Sequence, residues 1–154
     1  MSTGTLGLRI GTPITALALP IFTSYYSLLA YRVISTRVGS GVFVGDKSKA
    51  EGKGHAQDTP DPLTIATRSH ANFAENVPLA LTITALAEIN GADRNVLLSA
   101  LGTLFLLRVG HVEFGLRRPA ALGPGRIIGF LGTLGYLVGM SGYVAWLTKG
   151  YWGY

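Results

Sequence analysis

The stretch ITALALPIFTSYYSLLAYRVI, residues 14 to 34, decides the fold because it is long and apolar enough to cross a bilayer as a helix. Three similar stretches follow, and the predicted spans cover about residues 10–35, 62–89, 96–116 and 126–147. Of the 154 residues, 48% are hydrophobic and 14% are charged, whereas a soluble domain carries about 25% charged residues. The sequence therefore predicts one all-α, four-helix membrane domain over residues 1–154, arranged as a left-handed up-down bundle.

The segment between the first two spans, residues 39–61, is rich in glycine, proline and mixed charges, and we expect a mobile loop outside the membrane. Basic residues outside the spans are unequally divided between the two sides. One side holds Arg37, Lys47, Lys49, Lys53, Arg117 and Arg118, with Arg126 at the start of the fourth span, and the other holds Arg9, Arg94 and Lys149. By the positive-inside rule, the 39–61 loop faces the cytosol and both termini face the lumen or exterior.

Composition also limits the function classes. The net charge is +5, but Lys and Arg form no basic run and no nucleic-acid-binding module is recognisable, so we expect no nucleic-acid partner. The chain has no cysteine, which excludes a disulfide scaffold, a thiolate nucleophile of its own and a zinc–thiolate centre. No metal site is predicted.

The second span opens with a polar stripe that is expensive to place in a membrane. At about 100° per residue, Arg68, Asn72 and Glu75 lie on one helix face, and His70 lies on the opposite side. A guanidinium for a carboxylate, an amide for a peptide bond and a carboxylate for an ammonium suit a small zwitterionic peptide. The alternative is an internal Arg–Glu pair that holds helices together and binds nothing.

The third span carries Arg108 and His111 on one face. We expect Arg108 to pair with Glu75 of a neighbouring helix, since the pair would neutralise both charges in the bundle interior. His111 either serves as a proton carrier or ligand donor, or hydrogen-bonds a neighbour. Arg126 opens the fourth helix, where it either anchors the chain at the interface or stabilises a developing thiolate or oxyanion.

Glycines are concentrated in the fourth span. Gly129, Gly132, Gly135, Gly139 and Gly142 lie within an arc of about 140°. Such a row allows helix backbones to approach closely, and we interpret it as a packing surface. The preceding Gly123-Pro124-Gly125 turn lacks the Lys-Ser/Thr ending of a phosphate-binding loop.

These features resemble the MAPEG family, the membrane-associated proteins of eicosanoid and glutathione metabolism, over essentially the whole chain. The resemblance rests on the motif Arg68-x-His70-x-Asn72-Phe-Ala-Glu75-x-Val-Pro78 and on Arg108-x-x-His111, which is similar to the family's bacterial-like branch. It implies a homotrimer in the endoplasmic reticulum or another organelle membrane. Glutathione would bind between subunits, towards the cytosol.

The resemblance also implies roles for individual residues. Arg37, Arg68, Asn72 and Glu75 match residues that hold glutathione, and we group Arg108 and His111 with these cofactor-binding residues. Arg126 is the nearest counterpart of the arginine that activates the glutathione thiol. Tyrosines of the eicosanoid-forming enzymes fall here on His111 and on Phe114 or Gly115.

Two functions follow as hypotheses. In the first, the protein is a glutathione-dependent transferase or peroxidase that acts on a lipophilic electrophile dissolved in the bilayer, with Arg126 as the catalytic residue. In the second, it is a non-catalytic membrane scaffold or lipid-binding protein, or an accessory subunit of a larger membrane complex. Stabilisation by glutathione in detergent would favour the first hypothesis.

Overall fold

A computed structural model describes residues 11–47 and 60–153. Four long helices account for most of these residues, and the described part of the chain contains no β-strand. The helices are α1 (Pro13–Ser40), α2 (Pro62–Ile89), α3 (Arg94–His111) and α4 (Pro124–Leu147). A π-helical turn, Val112–Leu116, prolongs α3, and short 3₁₀ turns occupy Pro119–Ala121 and Lys149–Trp152. The prediction of an all-α, four-helix protein is confirmed.

The helix bounds differ from the predicted spans mainly in the first helix. α1 continues to Ser40, past the expected end at residue 35, and Gly41 then ends it with a φ of 70°. A glycine accepts this left-handed conformation without a Cβ clash, so it is a favourable residue directly after a helix. Of the loop predicted at 39–61, residues 48–59 lie outside the described residues.

The beginnings of the helices are stabilised by carboxylates. Asp61 accepts hydrogen bonds from the first free amides of α2, and Asp93 does the same for α3. α1 has no side-chain cap from its own N-cap residue. Instead, Glu88 near the end of α2 accepts bonds from the backbone N–H of Ile14, at 2.6 Å, and of Thr15, at 2.9 Å. The end of α2 therefore lies beside the beginning of α1, and these helices are antiparallel.

Within residues 11–47 and 60–153, three helical segments are long and apolar enough to cross a membrane: Pro13–Ser40, Arg94–Leu116 and Pro119–Leu147. α2 is as long as α1, but it carries the polar stripe and is not among these three segments. α2 packs against both α1 and α4, so much of its surface contacts protein. Neighbouring helices are the surroundings in which a polar helix at membrane depth is tolerated.

The bundle is held by an aromatic cluster and by close contact between α3 and α4. Phe22 and Tyr25 of α1 meet Phe105 of α3 edge-to-face, with ring centroids 5.5 and 5.9 Å apart. Gly129 of α4 lies directly against α3, where an added Cβ would come within 2.5 Å of the His111 Cβ. This contact brings the end of α3 to the beginning of α4, which positions the candidate site.

Candidate functional site

A groove of about 850 Å³ opens at the end of the bundle where α3 passes into α4. Five of the seven predicted site residues line it: Arg68, Asn72, Glu75, His111 and Arg126. The polar stripe of α2 forms one wall, and the beginning of α4 contributes another. The helical period had already grouped Arg68, Asn72 and Glu75 on one face of α2. The structure adds His111 and Arg126, which lie on other helical segments, to the same groove.

Arg126 and His111 are held next to each other by a hydrogen bond. The Nδ1 of His111 donates to the backbone carbonyl of Arg126 at 3.0 Å, and this contact spans α3 and α4. The Arg126 guanidinium is exposed, and its Nη1 donates to the carbonyl of Ala121 at 3.2 Å. A buried imidazole and an exposed guanidinium therefore occupy the same end of the groove.

Arg108 lies behind the groove, with 2% of its surface exposed. Its Nη1 donates to the Oδ1 of Asn72 at 2.7 Å, and its Nη2 donates to the carbonyl of Gly129. Its Nε has no hydrogen-bond partner among the described residues. The expected ion pair between Arg108 and Glu75 is wrong. Glu75 is exposed in the open groove one helical turn further along α2, whereas the guanidinium is enclosed beside Asn72.

Arg68 and Glu75 do not form the ion pair within the α2 stripe that the alternative hypothesis required. Among residues 11–47 and 60–153, neither Arg68 nor Glu75 takes part in an ion pair, and both side chains are exposed. His70, on the opposite side of α2, contacts the ring of Tyr26, with centroids 4.7 Å apart. The charges of the stripe are thus available to a ligand.

Arg37 lies apart from the other predicted site residues. It stands in the last turn of α1, where its Nη1 donates to the carbonyl of Val42 at 3.4 Å. As far as the described residues define the groove, Arg37 is not among those that line it. Within one chain, the structure therefore does not bring Arg37 together with Arg68 and Asn72 in the groove.

The backbone also explains one of the positions where the resemblance would place a tyrosine. An added Cβ at Gly115 would come within 2.5 Å of the backbone nitrogen of Arg126, so no side chain fits there. Phe114, the other candidate position, is 55% exposed and lies under the guanidinium of Arg118, 5.4 Å from the ring centroid. Among these positions, His111 is the polar residue that lines the groove.

A cluster of charged residues outside the groove was not predicted. Glu113 binds Arg32 of α1 at 2.5 Å and Arg117 at 2.6 Å, and the hydroxyl of Tyr25 donates to the same carboxylate at 3.0 Å. The signal was present in the sequence. Arg32 and Glu113 are opposite charges within two of the predicted spans, and such charges tend to pair in a bundle.

The charge of the groove favours an anionic ligand that also carries a cation. Its charged lining residues are two arginines and one glutamate, and the buried Arg108 adds a further positive charge behind Asn72. Charge-assisted hydrogen bonds from guanidinium groups are strong contacts for carboxylates. Among the described residues, no group of three or more His, Asp or Glu side chains is arranged to hold a metal ion.

Comparisons with known proteins agree with this arrangement at the level of the family. Neither curated proteins nor solved structures gave a match to the chain. The family model of the MAPEG family, in contrast, matches residues 14–146, which is most of the chain. The three apolar helices and the family match together show that the chain is an integral membrane protein. It belongs to the MAPEG family.

Proposed function

We propose that the protein is a glutathione-dependent membrane transferase or peroxidase that acts on lipophilic electrophiles. The observation that carries the proposal is the groove itself, which gathers Arg68, Asn72, Glu75, His111 and Arg126 around one cavity of about 850 Å³. Pockets of roughly 300–1,000 Å³ hold small molecules. Family membership supports the same reading.

Glutathione offers two carboxylates, one ammonium group, two peptide bonds and a thiol. In the proposed complex, Arg68 binds a carboxylate with its planar fork, and Glu75 accepts from the ammonium group. Asn72 lies between them on the stripe, within reach of a peptide bond. Its Oδ1 already accepts from Arg108 at 2.7 Å, which leaves the amide N–H groups of Asn72 to donate to the ligand.

Arg126 is the proposed catalytic residue. Its exposed guanidinium and the first turn of α4 place positive charge in the groove, and positive charge lowers the pKa of a thiol that binds beside it. The thiol releases its proton to water, and the thiolate sulfur attacks an electrophilic carbon. A carbon–sulfur bond forms as the leaving group departs with the electron pair of its bond.

The proposal includes a homotrimer. Arg37 is not among the described residues that line the groove of its own chain, and those residues leave the groove open on one side. In a closed threefold ring, a neighbouring subunit would cover this opening and supply its own Arg37 to the ligand. The bilayer would deliver the second substrate, since lipophilic electrophiles concentrate there.

The proposal is tested by comparing two groove variants with a matched control. Arg126→Leu should leave glutathione affinity nearly unchanged and lower turnover by about two orders of magnitude, because thiolate stabilisation acts on the reactive state. Asn72→Ala should weaken binding with a smaller effect on saturated turnover. Arg118→Leu removes the same charge outside the groove and should change neither quantity.

The measurements are glutathione affinity by calorimetry, thiolate absorbance in a single turnover and conjugation to a generic aryl halide. Full thiolate formation by Arg126→Leu would remove Arg126 from the mechanism. Glutathione binding without any turnover would favour the scaffold alternative. Absence of binding by the unmodified chain would contradict the proposed function altogether.

A further inference from the structure

A second polar pocket lies between α1 and α2, at the end of the bundle where α1 ends and α2 begins. Its volume is about 300 Å³, and it is lined on one side by Arg32 and Arg117. Ile65 is the residue that lines both this pocket and the groove, so it forms part of the wall between them. None of the predicted glutathione-binding side chains lines this second pocket as the described residues define it.

The pocket carries one positive charge that its own residues do not neutralise. Glu113 is shared, with Oε1 accepting from Arg32 at 2.5 Å and Oε2 from Arg117 at 2.6 Å. One carboxylate thus faces two guanidinium groups, and both of its oxygens are already in use. Glu113 reduces the cost of placing Arg32 in a membrane span. Because it is a single negative charge between two arginines, the three residues together have a net charge of plus one beside the pocket.

Both arginines retain hydrogen-bond donors. A guanidinium has five N–H groups, and within the described chain each arginine uses only Nη1 in a bond. The side chains of Arg32 and Arg117 are 28% and 48% exposed. A ligand in the pocket can therefore accept from both guanidinium groups without breaking their bonds to Glu113.

Besides the two arginines, the pocket is lined by four apolar residues, Leu29, Pro62, Ile65 and Ala66, and by three hydroxyl residues, Ser35, Thr36 and Ser69. Arg32 lies eight residues before the end of α1 at Ser40, which is about 12 Å along a helix. Since α1 is longer than the roughly 30 Å hydrocarbon core, this places Arg32 near the boundary with the headgroups. A ligand here needs an anionic head and an apolar body.

We propose that this pocket binds the phosphate group of an anionic membrane lipid, held by Arg32 and Arg117, with an acyl chain against Leu29 and Ile65. Basic pockets between membrane helices on the cytoplasmic side are suited to such headgroups. Among the described residues, Arg37, Lys47, Arg118 and Arg126 also lie at this end of the protein. The inference does not depend on glutathione binding, because it concerns a separate cavity.

The test uses the full chain in a zwitterionic detergent, with phosphatidylglycerol, phosphatidylcholine or inorganic phosphate added. Retained lipid is counted by native mass spectrometry, and thermal unfolding is followed in parallel. Arg117→Gln leaves the Arg32–Glu113 bond intact and should weaken phosphatidylglycerol binding about tenfold, the effect of losing one charge-assisted hydrogen bond. Arg118→Gln, the adjacent residue that stacks on Phe114, should bind like the unmodified chain.

Ala66→Leu is the second variant, because it fills the pocket without changing any charge. It should also reduce retained phosphatidylglycerol, and it decides the question if Arg117→Gln does not fold. Equal losses in Arg117→Gln and Arg118→Gln would show that only general surface charge attracts the lipid. Undiminished binding by Ala66→Leu would place the lipid elsewhere. Stabilisation by inorganic phosphate equal to that by phosphatidylglycerol would mean that free phosphate, and not a lipid, is the ligand.

Discussion

The two ends of the bundle differ in how tightly α4 is packed. At the groove end, an added Cβ at Gly115 or Gly129 would come within 2.5 Å of the facing helix segment. At the opposite end, three glycines of the row on α4 have no atom of the described residues within 4 Å of an added Cβ: Gly135, Gly139 and Gly142. The same row of glycines therefore packs tightly against α3 at the groove end and leaves the surface of α4 open at the other end.

The difference shows which part of the row shapes the site. The predicted packing surface exists within the chain for the first part of the row, where Gly129 contacts His111 and Gly132 contacts Leu107. The same close approach places the carbonyl of Gly129 on Arg108 and the carbonyl of Arg126 on His111. The second part of the row leaves an open face for lipid or for another subunit.

The largest expected effect comes from breaking the tight end. Gly129→Ala inserts a methyl group against the backbone of α3, and overpacking of this kind costs about 1–3 kcal/mol. We expect lower thermal stability in detergent and reduced glutathione binding, because His111 and Arg108 must move. Gly139→Ala is the matched control at the open end, where greater helix propensity should raise stability by about 0.5–1 kcal/mol. An equal loss in both variants would contradict the comparison and show that the open face is covered.

A smaller effect is expected when the charge behind the groove is removed. Arg108→Met keeps a long side chain and leaves the Gly129 carbonyl with its bond from Thr133. The Asn72 amide loses a partner, but a buried charge without a carboxylate is also removed, so the net change in stability should be small. Glutathione affinity should fall about tenfold, which corresponds to about 1.4 kcal/mol. Unchanged affinity, measured by calorimetry, would mean that Arg108 is purely structural.

The features that the sequence predicts correctly are those that depend on a single helix. Four apolar stretches gave the helices, and the spacing of Arg68, Asn72 and Glu75 gave one wall of the groove, because hydropathy and helical period are local properties. The partner of Arg108 depends on the register between α2, α3 and α4, which no single helix encodes. The predicted pairing of Arg108 with Glu75 was wrong for that reason, and Asn72 is the partner instead.

The far end is sensitive to a different residue. Glu88 accepts three bonds at the beginning of α1, from two backbone amides and from the Thr15 hydroxyl at 2.7 Å. Glu88→Ala removes this remote cap and should cost about 1 kcal/mol of stability, the usual value of a helix cap. Glu88→Gln keeps one acceptor oxygen and should cost less. Glutathione affinity should stay unchanged in both variants, and a large decrease would show that the two ends are coupled.

The smallest expected effect is a gain in folding stability from a substitution in the loop before α4, at the groove end. Ala121 and the preceding Ala120 have φ values of 55° and 56°, in the left-handed region that alanine rarely adopts, and both residues line the groove. The left-handed conformation costs a residue with a Cβ about 1–2 kcal/mol, whereas glycine loses about 0.5–1 kcal/mol through its greater freedom in the unfolded chain. Ala121→Gly should therefore stabilise the protein by about 0.5–1 kcal/mol. The same exchange at Ala145, in the regular helix at the far end of α4, should destabilise it by about 1 kcal/mol. Thermal unfolding of the two variants side by side measures the signs, and a loss at both positions would mean that Ala121 is not strained.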